Sequence, residues 1–138
     1  MRWILLVLCA LGIVAASLAL REHYREDASP CSINERWDCG IVNHSPFAMV
    51  HGVPVAVIGI AGYLLLAILA LKKAYRLMLL AVLAGLGYSL YLAHIEKDIL
   101  GVWCIYCVIS LGMISLITLL VVGTVIAGAC CRPKPAQN

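Results

Sequence analysis

The sequence predicts an all-α membrane protein: a bundle of four transmembrane helices, with an outer loop that carries a short helix over a group of cysteines. Three observations predict it. Of 138 residues, 64% are hydrophobic and 12% charged, about half the charged share of an average soluble domain. The uncharged apolar stretches fall into four runs, each near the roughly 20 residues that cross a bilayer as a helix. The longest segment outside them, residues 21–48, is too short for a core of its own, since chains below about 40 residues seldom build one unaided. Residues 1–138 are therefore read as one membrane domain. The net charge of +3 is dispersed and leaves no basic stripe of the kind that nucleic acid requires.

The first run, residues 3–20, follows Met1-Arg2 and closes on Ser17-Leu18-Ala19. That ending resembles a signal-peptide cleavage site, but the apolar stretch exceeds the roughly 7–15 residues of a signal-peptide core, so the reading keeps it as a helix. The second span, residues 53–71, is bounded by Lys72-Lys73, and the third, residues 77–93, is preceded by Arg76. The fourth, residues 103–127, is the longest. Residues 132–138 are short, polar and proline-containing, and read as a disordered tail. Gly12 and Ala16 suit helix packing, and Ser89, Ser110, Ser115 and Thr118 suit hydrogen bonding between helices.

Orientation follows from the distribution of Lys and Arg across the membrane. Arg2, Lys72, Lys73, Arg76, Arg132 and Lys134 fall on the side of the two termini and the second loop. Arg21, Arg25, Arg36 and Lys97 fall on the other, together with all seven acidic residues. The first side is expected to be cytosolic, and the first and third loops extracytoplasmic.

That topology sorts the seven cysteines. Cys31 and Cys39 lie in the first outer loop, and Cys104 and Cys107 open the fourth helix at its outer end. Cys9 is mid-span, and Cys130-Cys131 sits at the cytosolic end, where no role is assigned. Cys104-Ile105-Tyr106-Cys107 is a C-x-x-C whose two sulfurs share a helix face. At a helix N-terminus the macrodipole favours the thiolate. In the outer loop, Ser32-Ile33-Asn34-Glu35 reads as a capping box. A short helix from about Ile33 would align Ile33, Trp37 and Ile41, with Trp37 at headgroup level, and hold the loop over the bundle mouth.

Two dithiols at one membrane face, in a compartment where disulfides persist, suit an electron relay through mixed disulfides. The alternatives are a static outer disulfide and a four-cysteine zinc site, whose spacing departs from that of a zinc ribbon. Tyr88 and Tyr91, three apart on the third span, suit either a ring pocket or interfacial anchoring. His51 and His94, near the outer ends of spans, are read as interfacial.

The pattern Cys31-x7-Cys39, Ser45 six residues on, the second span, and Cys104-x-x-Cys107 opening the last helix resembles the vitamin K epoxide reductase family in its compact bacterial form. The stretch from Cys39-Gly-Ile-Val-Asn-His-Ser-Pro to Gly52-Val-Pro and on to Tyr63 is similar to the bacterial members. The resemblance covers residues 3–127. It implies that Cys104 and Cys107 form the active site and that Cys107 meets a quinone (menaquinone, ubiquinone or vitamin K). Cys31 and Cys39 would be a shuttle pair fed by a thioredoxin-like, DsbA-type protein, expected to be a separate chain. Ser45 and Tyr63 match family positions. With Phe47 and Tyr88 they make the expected quinone pocket. Neither metal nor flavin is expected.

Animal members carry Thr-Tyr-Ala where Ser110-Leu111 follows here, and their second-span asparagine falls near Val55. Both departures count against epoxide reduction. The expected function is thus a thiol–quinone oxidoreductase of the bacterial inner membrane that supports disulfide formation. The alternatives are a vitamin K epoxide reductase and a non-catalytic membrane protein with a structural disulfide. Cys39 is expected to reach Cys104, and Cys31 to meet the partner.

Overall fold

The computed structural model describes residues 1–27 and 30–131; the expected disordered tail lies outside the described residues. The described chain is an all-α bundle, as the composition requires. Its helices are α1 (Arg2–His23), the short α2 (Cys39–His44), α3 (Val55–Leu71), α4 (Tyr75–Ile95) and α5 (Ile105–Cys130). A small hairpin of β1 (Met49–Val50) and β2 (Val53–Pro54) precedes α3, and a π turn (Glu96–Leu100) continues α4. With that turn counted into α4, three helices are long and apolar enough to cross a membrane, and α3 is a shorter apolar helix of 17 residues. At 1.5 Å per residue α3 is about 26 Å long, close to the roughly 30 Å of a hydrocarbon core.

The bundle is apolar outside as well as inside. Trp3, Leu80 and Leu119 are 70%, 68% and 69% exposed. Water would penalise such faces at about 25 cal/mol per Å², whereas lipid tails are as apolar as the side chains they meet. Inside, Leu5, Cys9, Met78, Val82, Ile117 and Val121 are fully buried in one core. α1 packs chiefly on α3 and α5, and α4 on α5. Close approach of α1 to α3 depends on Gly12, where the Tyr63 ring occupies the space that a Cβ would take. Of the hydroxyls expected to bond between helices, Ser110 does so, with Tyr63. Ser115 and Thr118 instead donate back to Leu111 and Ile114 in their own helix, at 2.7 Å each. The carbonyl four residues back is always within reach of such a side chain.

The connections at one end of the bundle position the site. β1 and β2 pair antiparallel, Val50 opposite Val53, and are joined by His51 at φ 49° and Gly52 at φ 80°. Two successive positive φ values are what a tight hairpin turn requires. Pro54 then stands at the N-cap of α3, and its fixed φ suits a helix start.

The outer loop differs from expectation. Residues 32–35 form no capping box, and no helix starts near Ile33. Asn34 Oδ1 accepts the backbone N–H groups of Arg36 and Trp37, at 2.9 and 3.1 Å, an Asx arrangement that competes with helix. Trp37 is drawn instead into a parallel bridge with Trp103. Trp103 N–H donates to Arg36 C=O at 2.8 Å, and Asp38 N–H to Trp103 C=O at 3.0 Å. The indole rings lie 6.4 Å apart. The loop helix starts at Cys39, capped by Asp38, whose Oδ1 accepts Ile41 N–H at 3.1 Å and the Ser32 hydroxyl at 2.9 Å. Ile33 and Ile41 remain exposed and form no stripe with Trp37.

Candidate active site

The bridge between the two tryptophans brings the cysteine pairs together. Cys31, Cys39, Val42, Val102 and Cys104 form one buried cluster, with Cys107 packed against it. Cys31 and Cys39 are joined by a disulfide, their Cα atoms 5.5 Å apart, within the range such a bond spans. Cys104 and Cys107 are free thiols, the first fully buried and the second partly exposed. Cys104 is the N-cap of α5 in extended conformation, so it precedes the spanning helix, and Cys107 sits in the first turn.

Two polar side chains bracket the C-x-x-C. Asn43, one turn after Cys39 on α2, is 6% exposed. Its Nδ2 donates to Cys39 C=O at 2.8 Å and to Cys104 Sγ at 3.6 Å. Its own C=O accepts His23 Nδ1–H at 2.6 Å, which ties α2 to the end of α1. Glu96 opens the π turn and is 3% exposed. Its Oε2 accepts the backbone N–H of Cys104 at 3.1 Å, and it shares the lining of one cavity with Cys107. The free N–H of a helix start is thus satisfied by a side chain.

These contacts make the two thiols unequal. The hydrogen bond from the Cys107 thiol holds the Cys104 thiol below the ordinary cysteine range, with the Asn43 amide acting in the same direction, against burial and the Glu96 charge. Cys104 is therefore the sulfur of the pair that is favoured as thiolate. A thiolate beside a thiol is the arrangement that starts disulfide exchange.

Behind Cys107 lies a mostly apolar cavity of about 470 Å³ enclosed by all four long helices, in the size range of small-molecule sites. Cys107, Ser45, Phe47, Tyr63, Tyr88 and Glu96 all line it. Small residues on α3 and α4, among them Gly59, Gly62 and Gly85, leave the room. Leu65, half exposed, lines it too, so the cavity reaches the lipid-facing surface. The Tyr63 hydroxyl is fixed by Ser110 C=O and Oγ at 2.9 Å each, and Ser45 Oγ donates to Val42 C=O at 2.7 Å. Tyr91 stacks on Tyr88 at 6.3 Å but is not part of the lining. An apolar ring system fits this space, with one sulfur at its wall.

The remaining cysteines stand apart. Cys9 is buried in the bundle core, and Cys130 and Cys131 are exposed at the far end. Among the described residues no His, Cys, Asp and Glu cluster is arranged to hold a metal ion, and Cys31 and Cys39 are joined in their disulfide. His94 pairs with Asp98 at 2.6 Å on the surface.

Asn43 and Glu96 are the site residues that sequence reasoning misses. Asn43 reads as part of a glycosylation sequon. Glu96, beside Lys97 and Asp98, reads as one of several solvated charges. No spacing signal marks either.

A family model described as the vitamin K epoxide reductase family matches residues 3–123. No curated protein matches the chain.

Proposed function

The chain belongs to the vitamin K epoxide reductase family, and from that premise we propose that it is a membrane thiol–quinone oxidoreductase that supports disulfide formation outside the cytosol. The observation that carries this reading is the position of Cys107, in the wall of an apolar cavity and in contact with a second thiol. The disulfide-bonded Cys31–Cys39 pair lies in the same buried cluster as Cys104.

A quinone supplies an acceptor for two electrons and two protons and is released as the quinol. The residues present suit one: the cavity wall is apolar, and Tyr63, Ser45 and Tyr88 offer hydroxyls at its margin. In the reduced pair, Cys104 is the sulfur favoured as thiolate. Oxidation of the pair forms the Cys104–Cys107 disulfide and delivers two electrons to the cavity. A dithiol partner of the thioredoxin-like class reduces Cys31–Cys39 and leaves as its own disulfide. Cys39 then attacks Cys104, and Cys31 closes on Cys39, so the C-x-x-C is a dithiol again. Asn43 supports this order, because one amide touches the Cys39 backbone and Cys104 Sγ. Cys31 is 4% exposed, so the outer loop opens to admit the partner.

The charge distribution supports a cytosolic side for the second loop and an extracytoplasmic, periplasmic side for the cysteines, in a bacterial inner membrane. The test is absorbance-monitored reduction of menadione and of a short-chain ubiquinone by the detergent-purified protein with dithiothreitol, background subtracted. Activity in the parent and none in Cys107→Ser is the expected result. Equal rates in the two, or no rate in a folded parent with either quinone, refute the reading.

A further inference from the structure

Glu96 is an ionisable side chain placed where none is needed for packing. It is 3% exposed, on the wall of the apolar cavity that Cys107 also lines, with one carboxylate oxygen on Cys104 N–H at 3.1 Å. A glutamine would satisfy the N–H equally well without burying a charge, and burying a charge is costly. The carboxylate therefore does something that the amide cannot. We infer that Glu96 is the proton-transfer group of the C-x-x-C: it takes the Cys107 thiol proton as the disulfide closes and passes it to the acceptor in the cavity. The inference rests on the thiol–quinone reading and adds to it a catalytic residue.

The step balances. Cys104 thiolate, Cys107 thiol, quinone and one proton from water at the outer face give the Cys104–Cys107 disulfide and the quinol. The two sulfurs are oxidised by two electrons in total, and the quinone gains them. Of the two protons gained by the quinone, one is that of Cys107, carried by Glu96, and the other is that of the water. After transfer Glu96 is again a carboxylate.

The geometry around Glu96 singles it out. The other titratable groups lining the cavity are His23 on α1, Tyr63 on α3, Tyr88 on α4, and Tyr106 and Cys107 on α5. Cys104 faces the carboxylate through its backbone N–H, and α2 contributes Asn43, which does not titrate. On its own segment, His94 and Asp98 are exposed and pair with each other, and Lys97 is exposed. Among these, Glu96 alone combines a carboxylate on the cavity wall beside Cys107 with a hydrogen bond to the backbone of the C-x-x-C.

The experiment compares parent, Glu96→Gln and Glu96→Asp as full chains in detergent. Menadione is the probe quinone. Positioned acid–base groups contribute typically about 10²–10⁴-fold, so Glu96→Gln is expected to lose about 10²-fold or more in menadione reduction, and Glu96→Asp to recover part of it. The second readout uses no quinone: the pH profile of iodoacetamide alkylation at Cys107. In the parent, a carboxylate titrating beside the thiol gives the profile two inflections, and Glu96→Gln leaves one. A carboxylate that merely caps the Cys104 N–H would leave menadione reduction unmoved, since the amide also accepts, and would show only as a shift of the alkylation profile. Menadione reduction by Glu96→Gln within threefold of the parent overturns the inference, whatever the alkylation profile. Should Glu96→Gln fail to fold, the Glu96→Asp profile decides: a displaced second inflection supports the role, an unchanged one overturns it. A folded parent that does not reduce menadione fails the enzyme reading itself; an active parent equalled by Glu96→Gln fails only the role of Glu96.

Discussion

Gly12→Ala is a small change with a sign that depends on one other residue. An added Cβ at position 12 would stand 2.5 Å from Tyr63 Cζ, where ordinary contact begins at 3.4 Å. Tyr63 Cε1 lies closer still, so the ring must retreat by about an ångström. Tyr63 is 5% exposed and its hydroxyl is held by Ser110, so the retreat strains or breaks those hydrogen bonds. Overpacking of this kind costs about 1–3 kcal/mol, and a lost hydrogen bond about 1 kcal/mol. Replacing a mid-helix glycine by alanine returns about 0.5–1 kcal/mol. The net is a destabilisation of about 1–3 kcal/mol, a large share of the 5–15 kcal/mol that holds a typical domain together. In a Tyr63→Leu background the clash is gone and only the helix gain is left, so Gly12→Ala becomes neutral or stabilising there. Unfolding of the four proteins of this cycle in one detergent, followed by tryptophan fluorescence, measures the coupling. Because the displaced ring lines the cavity, the KM for menadione rises in Gly12→Ala as well. An equal cost of Gly12→Ala in both backgrounds would refute the argument, since the loss would then come from something other than the Tyr63 ring.

Two further predictions concern the mouth of the bundle. With Cys31–Cys39 oxidised, alkylation of Cys104 is half-maximal below the ordinary thiol pKa of 9.0; the group reacts as thiolate, so its rate falls as pH drops through the lowered value. Asn43→Ala removes one of the donors that lower it, and a hydrogen bond to a charged group is worth at least about 1.5 kcal/mol. The alkylation rate at a fixed pH below the midpoint is therefore expected to drop about tenfold, and an unchanged rate would sink the assignment. Asp38→Ala removes the cap of α2 together with the Ser32 contact, a loss of about 1 kcal/mol. Faster amide exchange confined to residues 38–44, with α3 and α4 unaffected, is the expected signature, and uniform exchange would refute local capping.

Legibility in the sequence tracks how local each cause is. The hydropathy of the apolar runs needs no partner, so the all-α membrane fold is readable from composition and run length. The cysteine spacing, with Ser45 between the pairs, is likewise carried by order along the chain and points to the family that the matched residues 3–123 show. The loop helix starts later than its local signal for a physical reason: Ser32 and Glu35 satisfy a capping pattern, but Asn34 captures two backbone N–H groups and Trp37 pairs with Trp103. A strand-like bridge to a segment far along the chain outcompetes a local helix signal.

What the sequence by itself determined is therefore the bundle, its apolar faces and the identity of its four reactive-candidate sulfurs. The tertiary structure alone decided which side chains tune them. Asn43 meets Cys104 across 61 positions of sequence, and Glu96 is turned inward because a π turn ends α4 beside the N-cap of α5. Such contacts are properties of pairs brought together by helix packing, whereas the charge of Glu96 read alone is indistinguishable from that of the solvated Asp98.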